Sequence, residues 1–168
     1  MSVGLSLGGV AIALAILWLN MRPWWKGGRD PKALVPYASG AGLGSLATIC
    51  VGGALGWGAA GLAGLATSGG NTGVSKVTGT SGATPMPTGR MGVLTPEGGV
   101  VVCLLLVGVV LLHKTSGKQD KRRIIGGFIS FAVLGFLPGV AALLNWWPDL
   151  VNTVGAHGRA LLTTGSIG

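Results

Sequence analysis

Few side chains in this sequence could do chemistry, and they are scattered along it. The chain holds two cysteines, two histidines and four acidic residues. Cys50 and Cys103 both fall inside apolar runs, and no Cys or His stands at metal-ligand spacing from either one. A zinc site and a disulfide framework are therefore disfavoured. No glycine-rich segment is followed by the Lys-Ser or Lys-Thr of a phosphate-binding loop. The sequence predicts a non-enzymatic protein with no catalytic residues, no cofactor and no metal.

The remaining titratable groups give little support to proton or ion coupling. His113 ends an apolar run beside Lys114, where a cation is favourable at the C-terminus of a helix. That position accounts for the histidine without a proton relay. No Asp, Glu, Lys or Arg lies inside an apolar run, although such residues are the usual mark of ion-coupled carriers. A coupled carrier is therefore disfavoured.

A strongly basic turn is the one cluster whose chemistry is clear, because it would attract anions. Its five cations are Lys114, Lys118, Lys121, Arg122 and Arg123. Three interpretations are open: a topology determinant, a contact for anionic lipid headgroups, or a contact for nucleic acid. The aromatic residues that interleave with cations in single-strand binding sites are absent from this turn. Nucleic-acid contact is therefore disfavoured, and the lipid bilayer is the expected partner.

The elements that position this turn are apolar runs of near-membrane length. The chain has 168 residues, of which 49% are hydrophobic and 10% charged, and its mean hydropathy is +0.66. Soluble domains carry about a quarter charged residues, so most of this surface is expected to face lipid. The runs are Val3–Leu19, Pro36–Ala66, Gly98–Leu112 and Ile124–Leu144. We therefore predict an all-α membrane protein with four transmembrane helices in two helical hairpins.

Four segments follow from this pattern. Residues 1–66 form the first hairpin, 67–95 a Gly/Ser/Thr-rich extracytoplasmic loop, 96–147 the second hairpin with its basic turn, and 148–168 an interfacial or disordered tail. The first run is expected to be a retained helix, with a secretory signal peptide as the alternative. Thr95 and Pro96 predict a helix start, and Pro138 predicts a kink in the fourth run.

Small residues at helical spacing predict close helix packing. Gly40 and Gly44, and Gly52 and Gly56, are spaced four apart, and Gly64 continues the pattern. Such spacing lets another helix approach closely, and it is also common by chance in a chain with 33 glycines. We expect these glycines to support packing within a homo-oligomer.

Loop charge predicts the orientation. The first and third connections carry nine of the twelve Lys and Arg, against three in the rest of the chain. Basic loops stay in the cytoplasm, so both termini are expected outside the cytoplasmic membrane of a bacterium, with the chain crossing it several times.

The segment Gly98–Trp147, with an apolar helix, a short Lys/Arg turn and a Gly/Ala-rich apolar helix, resembles the hairpin of conjugative pilins of type IV secretion systems. The whole chain is similar to small polytopic membrane proteins of actinobacterial mobile elements and phages. The first two runs depart from the pilin pattern. The resemblance implies self-assembly, a lipid-contacting exterior, and a lumen lined by Lys118, Lys121, Arg122 and Arg123.

Together these features predict a self-assembling structural or conduit component of a conjugation, mobile-element or phage-related apparatus. Three alternatives are a holin-like membrane-permeabilising protein, a pilin-like filament subunit, and a small channel or carrier subunit. Other membrane subunits of a larger assembly are possible partners.

Overall fold

Helices dominate the chain. A computed structural model of the protein describes residues 4–50 and 53–164. It is 78% helical, which confirms the all-α prediction. In chain order the described helices are α1 (Leu7–Lys26), α2 (Val35–Ala47), α3 (Ala54–Thr78), α4 (Pro96–Thr115), α5 (Lys118–Leu134), α6 (Pro138–Leu143) and α7 (Trp146–Thr164), with a 3-10 turn at Pro31–Leu34. Strand β1 (Leu5–Ser6) pairs antiparallel with β2 (Pro85–Met86).

Two of the described helices, α1 and α4, are long and apolar enough to cross a membrane. Each has 20 residues and is therefore about 30 Å long, which matches the hydrocarbon core of a bilayer. Much of their apolar surface is exposed, with Leu19 65% and Leu104 66% accessible. A soluble protein rarely leaves so much contiguous apolar surface uncovered. Of the four predicted spans, these two meet the criteria of length and apolarity.

The second apolar run is not one helix, as the sequence predicted, but two. Helix α2 ends at Ala47 after 13 residues, or about 20 Å, and α3 begins at Ala54. The amide and the hydroxyl of Thr48 both donate to the Ser45 carbonyl, at 3.2 and 2.7 Å, and so close the last turn of α2. Gly53 then has an extended backbone and starts the next helix.

The loop predicted from residue 67 was wrong over its first part, because α3 continues to Thr78. Thr72 donates to Ser68 O at 2.9 Å and Thr78 to Val74 O at 2.8 Å, so the hydroxyls are satisfied inside the helix. Contact with α1 also supports this half of α3, since the backbones approach closely at Gly8. The helix ends at Gly79, whose φ of 71° is the left-handed conformation that glycine adopts most easily.

The predicted kink at Pro138 is a break instead. Helix α5 ends at Leu134, and Pro138 is the first residue of α6. Leu137 is extended, with ψ 132°, as expected for a residue that precedes proline. The Phe136 carbonyl in the break accepts a hydrogen bond from Gly89 N at 2.7 Å, so the preceding loop supplies the missing donor.

Both ends of α4 follow from the local sequence. The Thr95 side chain accepts from Gly98 N at 3.1 Å, which confirms the predicted N-cap. At the other end, only Ser116 and Gly117 separate α4 from α5, so the basic turn is two residues long and its cations lie on the flanking helices. The described part of the predicted tail, as far as Thr164, belongs to helix α7, which packs against α4. Asn152 of α7 accepts from Thr95 N at 2.9 Å.

The most extensive helix contact is between α2 and α5, followed by that between α1 and α3. Helices α2 and α5 run parallel, since Gly40 lies against Ile124 and Gly44 against Phe128. Helix α4 contacts α7 more than it contacts α5, its neighbour in the chain. The second hairpin is therefore open, and α5 belongs to the packed group of α1, α2 and α3.

Candidate functional site at the basic end of the bundle

The two basic segments of the sequence meet at one end of the bundle. The C-terminal ends of α1 and α4 both reach the N-terminus of α5, α1 by contact and α4 through the two-residue turn. This basic end carries Arg22, Lys26, Arg29, Lys32, Lys114, Lys118, Lys121, Arg122 and Arg123. The only acidic side chains in these segments are Asp30 and Asp120. The basic end therefore holds most of the positive charge of the chain.

A cleft of about 470 Å³ lies between α1 and α5 at this end. Its lining comprises Leu19, Asn20 and Pro23 from α1 and Lys118, Gln119, Arg122 and Arg123 from α5. One wall is thus mostly apolar and the other is cationic. No acidic side chain is among the residues that line it.

Arg123 is the cation that holds the basic end together. Its Nη1 donates to the Ala33 carbonyl at 3.0 Å and lies 3.6 Å from Asp120 Oδ1. The side chain is only 15% exposed. Arg123 therefore fixes the connection between α1 and α2 against the first turns of α5.

Lys118 and Arg122 are placed differently. Both residues are exposed, and neither forms an ion pair within the ranges that the structure describes. Lys118 is the first residue of α5, and its N-cap, Gly117, has no side chain to accept from the free amides of the first turn. A helix N-terminus carries a partial positive charge, which adds to that of the cations. These two residues are therefore available to an anion.

A close helix contact sets the floor of the cleft. At Gly126 an added Cβ would overlap the Asn20 amide of α1. Asn20 is itself fixed, because its Nδ2 donates to Ile16 O at 2.8 Å. At the next residue, Gly127, an added Cβ would meet the Tyr37 carbonyl of α2. The two adjacent glycines of α5 thus let α1 and α2 approach from two sides.

The predicted packing glycines fall into different surroundings. Gly40 and Gly44 lie against the backbone of α5 in the same chain. Gly56 lies against the Cys50 carbonyl in the connection before its own helix, and Gly64 has no atom within 4 Å of an added Cβ. Gly52 lies outside the described residues. Their role in packing between subunits stays a prediction.

Three glycines in the middle of α3 face open space instead. At Gly58, Gly61 and Gly64 no atom lies within 4 Å of an added Cβ. Trp57, 71% exposed, and Leu65, 72% exposed, flank them. Positions four and seven residues apart share one helix side. We define the open α3 face as Trp57, Gly61, Gly64, Leu65 and Ser68, all exposed.

No protein-family model, no curated protein and no solved structure matches this chain. The geometry of the basic end and of the helix surfaces therefore carries the functional argument.

Other candidate chemistry is dispersed. Across residues 4–50 and 53–164, no three His, Cys, Asp or Glu side chains converge as metal ligands. Cys50 is half-buried and Cys103 exposed, and both are free thiols. His113 lines an apolar groove between α4 and α5 together with Ile124 and Ile125.

Sequence reasoning missed the α1 side of the cleft. Asn20 and Pro23 are separated from Lys118 by about a hundred positions, and no short-range pattern links them. The available signal was only that both basic segments belong to the same predicted side. Charge bias assigns segments to a side of the membrane and gives no distance between side chains.

Proposed function

We propose that this chain is a non-enzymatic integral membrane protein that self-assembles, and that it serves as a structural or conduit component of a larger membrane apparatus. The proposal is supported by an exposed apolar surface that adjoins a strongly cationic end. Helices α1 and α4 leave most of their apolar surface exposed, and their C-terminal ends meet at an end with nine cations. An apolar belt below a cationic rim suits a bilayer and its anionic headgroup layer.

The orientation follows from the same rim. The basic end faces the cytoplasm, and the loop of residues 79–95 faces outside, with both termini. Four passages of the chain fit this arrangement, through α1, through α2 with the start of α3, through α4, and through α5 with α6. Broken helices are tolerated at membrane depth where neighbouring protein satisfies the freed backbone groups, as Gly89 does at Phe136.

Self-assembly is supported by the open α3 face. Membrane helices associate through small residues that let backbones approach, and Gly61 and Gly64 offer such a surface between two exposed large side chains. The other glycine pair, Gly40 and Gly44, is already occupied by α5. A second copy is therefore expected at α3. Assembly into a conduit or scaffold for a conjugation or phage-related apparatus rests on the sequence resemblance.

Cysteine accessibility in intact cells tests membrane placement and orientation together. The native thiols are first removed as Cys50→Ala and Cys103→Ala, since Cys103 is exposed. Single cysteines are then placed at Thr80, which is exposed, and at Gly117, where an added Cβ meets no atom within 4 Å. An impermeant maleimide should label Thr80→Cys strongly and Gly117→Cys only after the cells are opened.

The opposite labelling pattern would mean that the orientation is the reverse of the proposed one. Equal labelling of Thr80→Cys and Gly117→Cys in intact cells would contradict a single stable membrane topology. Dye leakage through the membrane on expression would favour the holin-like alternative over a passive scaffold.

A further inference from the structure

The cleft between α1 and α5 joins a cationic wall to an apolar wall at the rim of the bundle. From this arrangement we propose that the cleft binds the phosphate headgroup of an anionic phospholipid. The inference rests on the membrane placement proposed above and adds a defined site to it. Lys118, Arg122 and the first-turn amides of α5 face the phosphate, while Leu19 and Pro23 contact the glycerol and the upper acyl chain.

The charge balance of the cleft favours a ligand with a full negative charge. Three cations line it, and Asp120, the acid in the first turn of α5, is engaged by Arg123. Lys118 and Arg122 have no ion pair within the described ranges. Arg presents several donors to phosphate oxygens, and Lys adds a compact charge. Gln119, also in the lining, supplies an uncharged amide donor.

The walls favour a lipid over free phosphate. Leu19 is 65% exposed beside the cleft, so the ligand must also cover apolar surface. Trp18 and Trp25 on the same end of α1 are exposed too, at the level where membrane aromatics meet headgroups. Basic pockets between membrane helices are known sites for anionic headgroups. An amphiphile is the one ligand class that satisfies both walls.

The cleft is also firm enough to select a ligand. Arg123 is held by Ala33 O, and the contact of Asn20 with Gly126 fixes the spacing of α1 and α5 below it. Binding therefore requires ordering only the Lys118 and Arg122 side chains. Lipid binding at this cleft should therefore depend on which cations are removed. At a surface that attracts anions only by its summed charge, binding would depend on the number of cations and not on their positions.

Lipid selectivity of the full-length protein tests the site. The protein is placed in phosphatidylcholine nanodiscs, and the relative association of labelled phosphatidylglycerol and labelled phosphatidylcholine is measured. The cleft variant is Lys118→Gln with Arg122→Gln. The matched control is Lys114→Gln with Lys121→Gln, which removes the same charge from the basic end at positions outside the cleft.

We expect the wild type and the control to prefer phosphatidylglycerol, and the cleft variant to lose about fivefold of that preference for each cation removed. Equal losses in both variants would show attraction by summed charge alone and would overturn the proposal. No loss in the cleft variant would overturn it as well. Far-UV circular dichroism on the same samples establishes that each variant is folded. If the double cleft variant does not fold, the single variants Lys118→Gln and Arg122→Gln are measured in its place.

Two competitors separate the sources of phosphate. The competitors are inorganic phosphate and a single-stranded oligonucleotide. If either one displaces labelled phosphatidylglycerol from the wild type at equal concentration, the assignment to lipid is overturned. The cysteine labelling described above is independent of this measurement. A wild type that labels normally but shows no preference for phosphatidylglycerol would refute the cleft and leave the membrane topology standing.

Discussion

One glycine pair of α2 and one glycine pair of α3 lie in opposite surroundings. Gly40 and Gly44 press against the backbone of α5, where an added Cβ would overlap the carbonyls of Ile124 and Phe128. Gly61 and Gly64 meet nothing within 4 Å. In both regions the small residues lie three or four apart on a helix. Spacing therefore makes a close approach possible, while the rest of the fold decides which helix makes it.

The largest effect on stability is expected at Gly40 and Gly44, which we call the closed pair. In Gly44→Leu the side chain must push α2 away from α5, and the free energy of unfolding should fall by about 3 kcal/mol or more, since overpacking against backbone cannot relax by a change of rotamer. Reversible unfolding in mixed micelles, followed by circular dichroism, measures this. The matched control is Gly108→Leu on α4, where an added Cβ meets no atom within 4 Å and the stability should be kept. Equal stability of both variants would mean that α2 and α5 are not packed as described.

A smaller effect is expected from the polar contact beside the closed pair. Tyr37 Oη and Ser130 Oγ are 2.9 Å apart and buried, and Ser130 already donates to the Gly126 carbonyl at 2.8 Å. The tyrosine is therefore the donor to Ser130. Tyr37→Phe should cost about 1 kcal/mol of unfolding free energy, the usual net value of one hydrogen bond. In a Ser130→Ala background the same change should cost less, and additive losses in this double-mutant cycle would exclude the bond.

The smallest effect on subunit stability is expected at the open α3 face. Gly61→Leu and Gly64→Leu fill empty space and replace glycine by a better helix former, worth up to about 1 kcal/mol per site in favour of the helix. Thermal unfolding of the dissociated subunit should therefore be unchanged or shifted upward. A loss comparable to that of Gly44→Leu would mean that the α3 face is packed within the subunit.

Local signals in the sequence predicted those parts of the fold that depend on neighbouring residues. Thr95 and Pro96 fixed the start of α4, because a cap requires only the next three residues. The all-helical class followed from the apolar runs. The break at Leu137 was underestimated as a kink, since its extended backbone is stabilised by Gly89, a distant donor.

Features that depend on distant contacts were not predictable. Residues 67–78 have the composition of a loop, yet they are helical because hydroxyls bond within the helix and Gly8 of α1 packs against Gly70. The cleft at the basic end required α1 and α5 to meet. The five cations were visible in the sequence, but the distinction between Arg123, which binds Ala33 O, and Arg122, which is exposed, depends on the fold.

If Gly40 and Gly44 pack the subunit and the open α3 face joins subunits, only changes at the α3 face should alter the particle mass in native-lipid nanodiscs. The wild type should have a protein mass of at least two subunits of 16.7 kDa each. The double variant Gly61→Leu with Gly64→Leu should fall to 16.7 kDa while its helical content is kept. A wild-type mass of one subunit, or a double variant that keeps the wild-type mass, would show that the open α3 face does not join subunits.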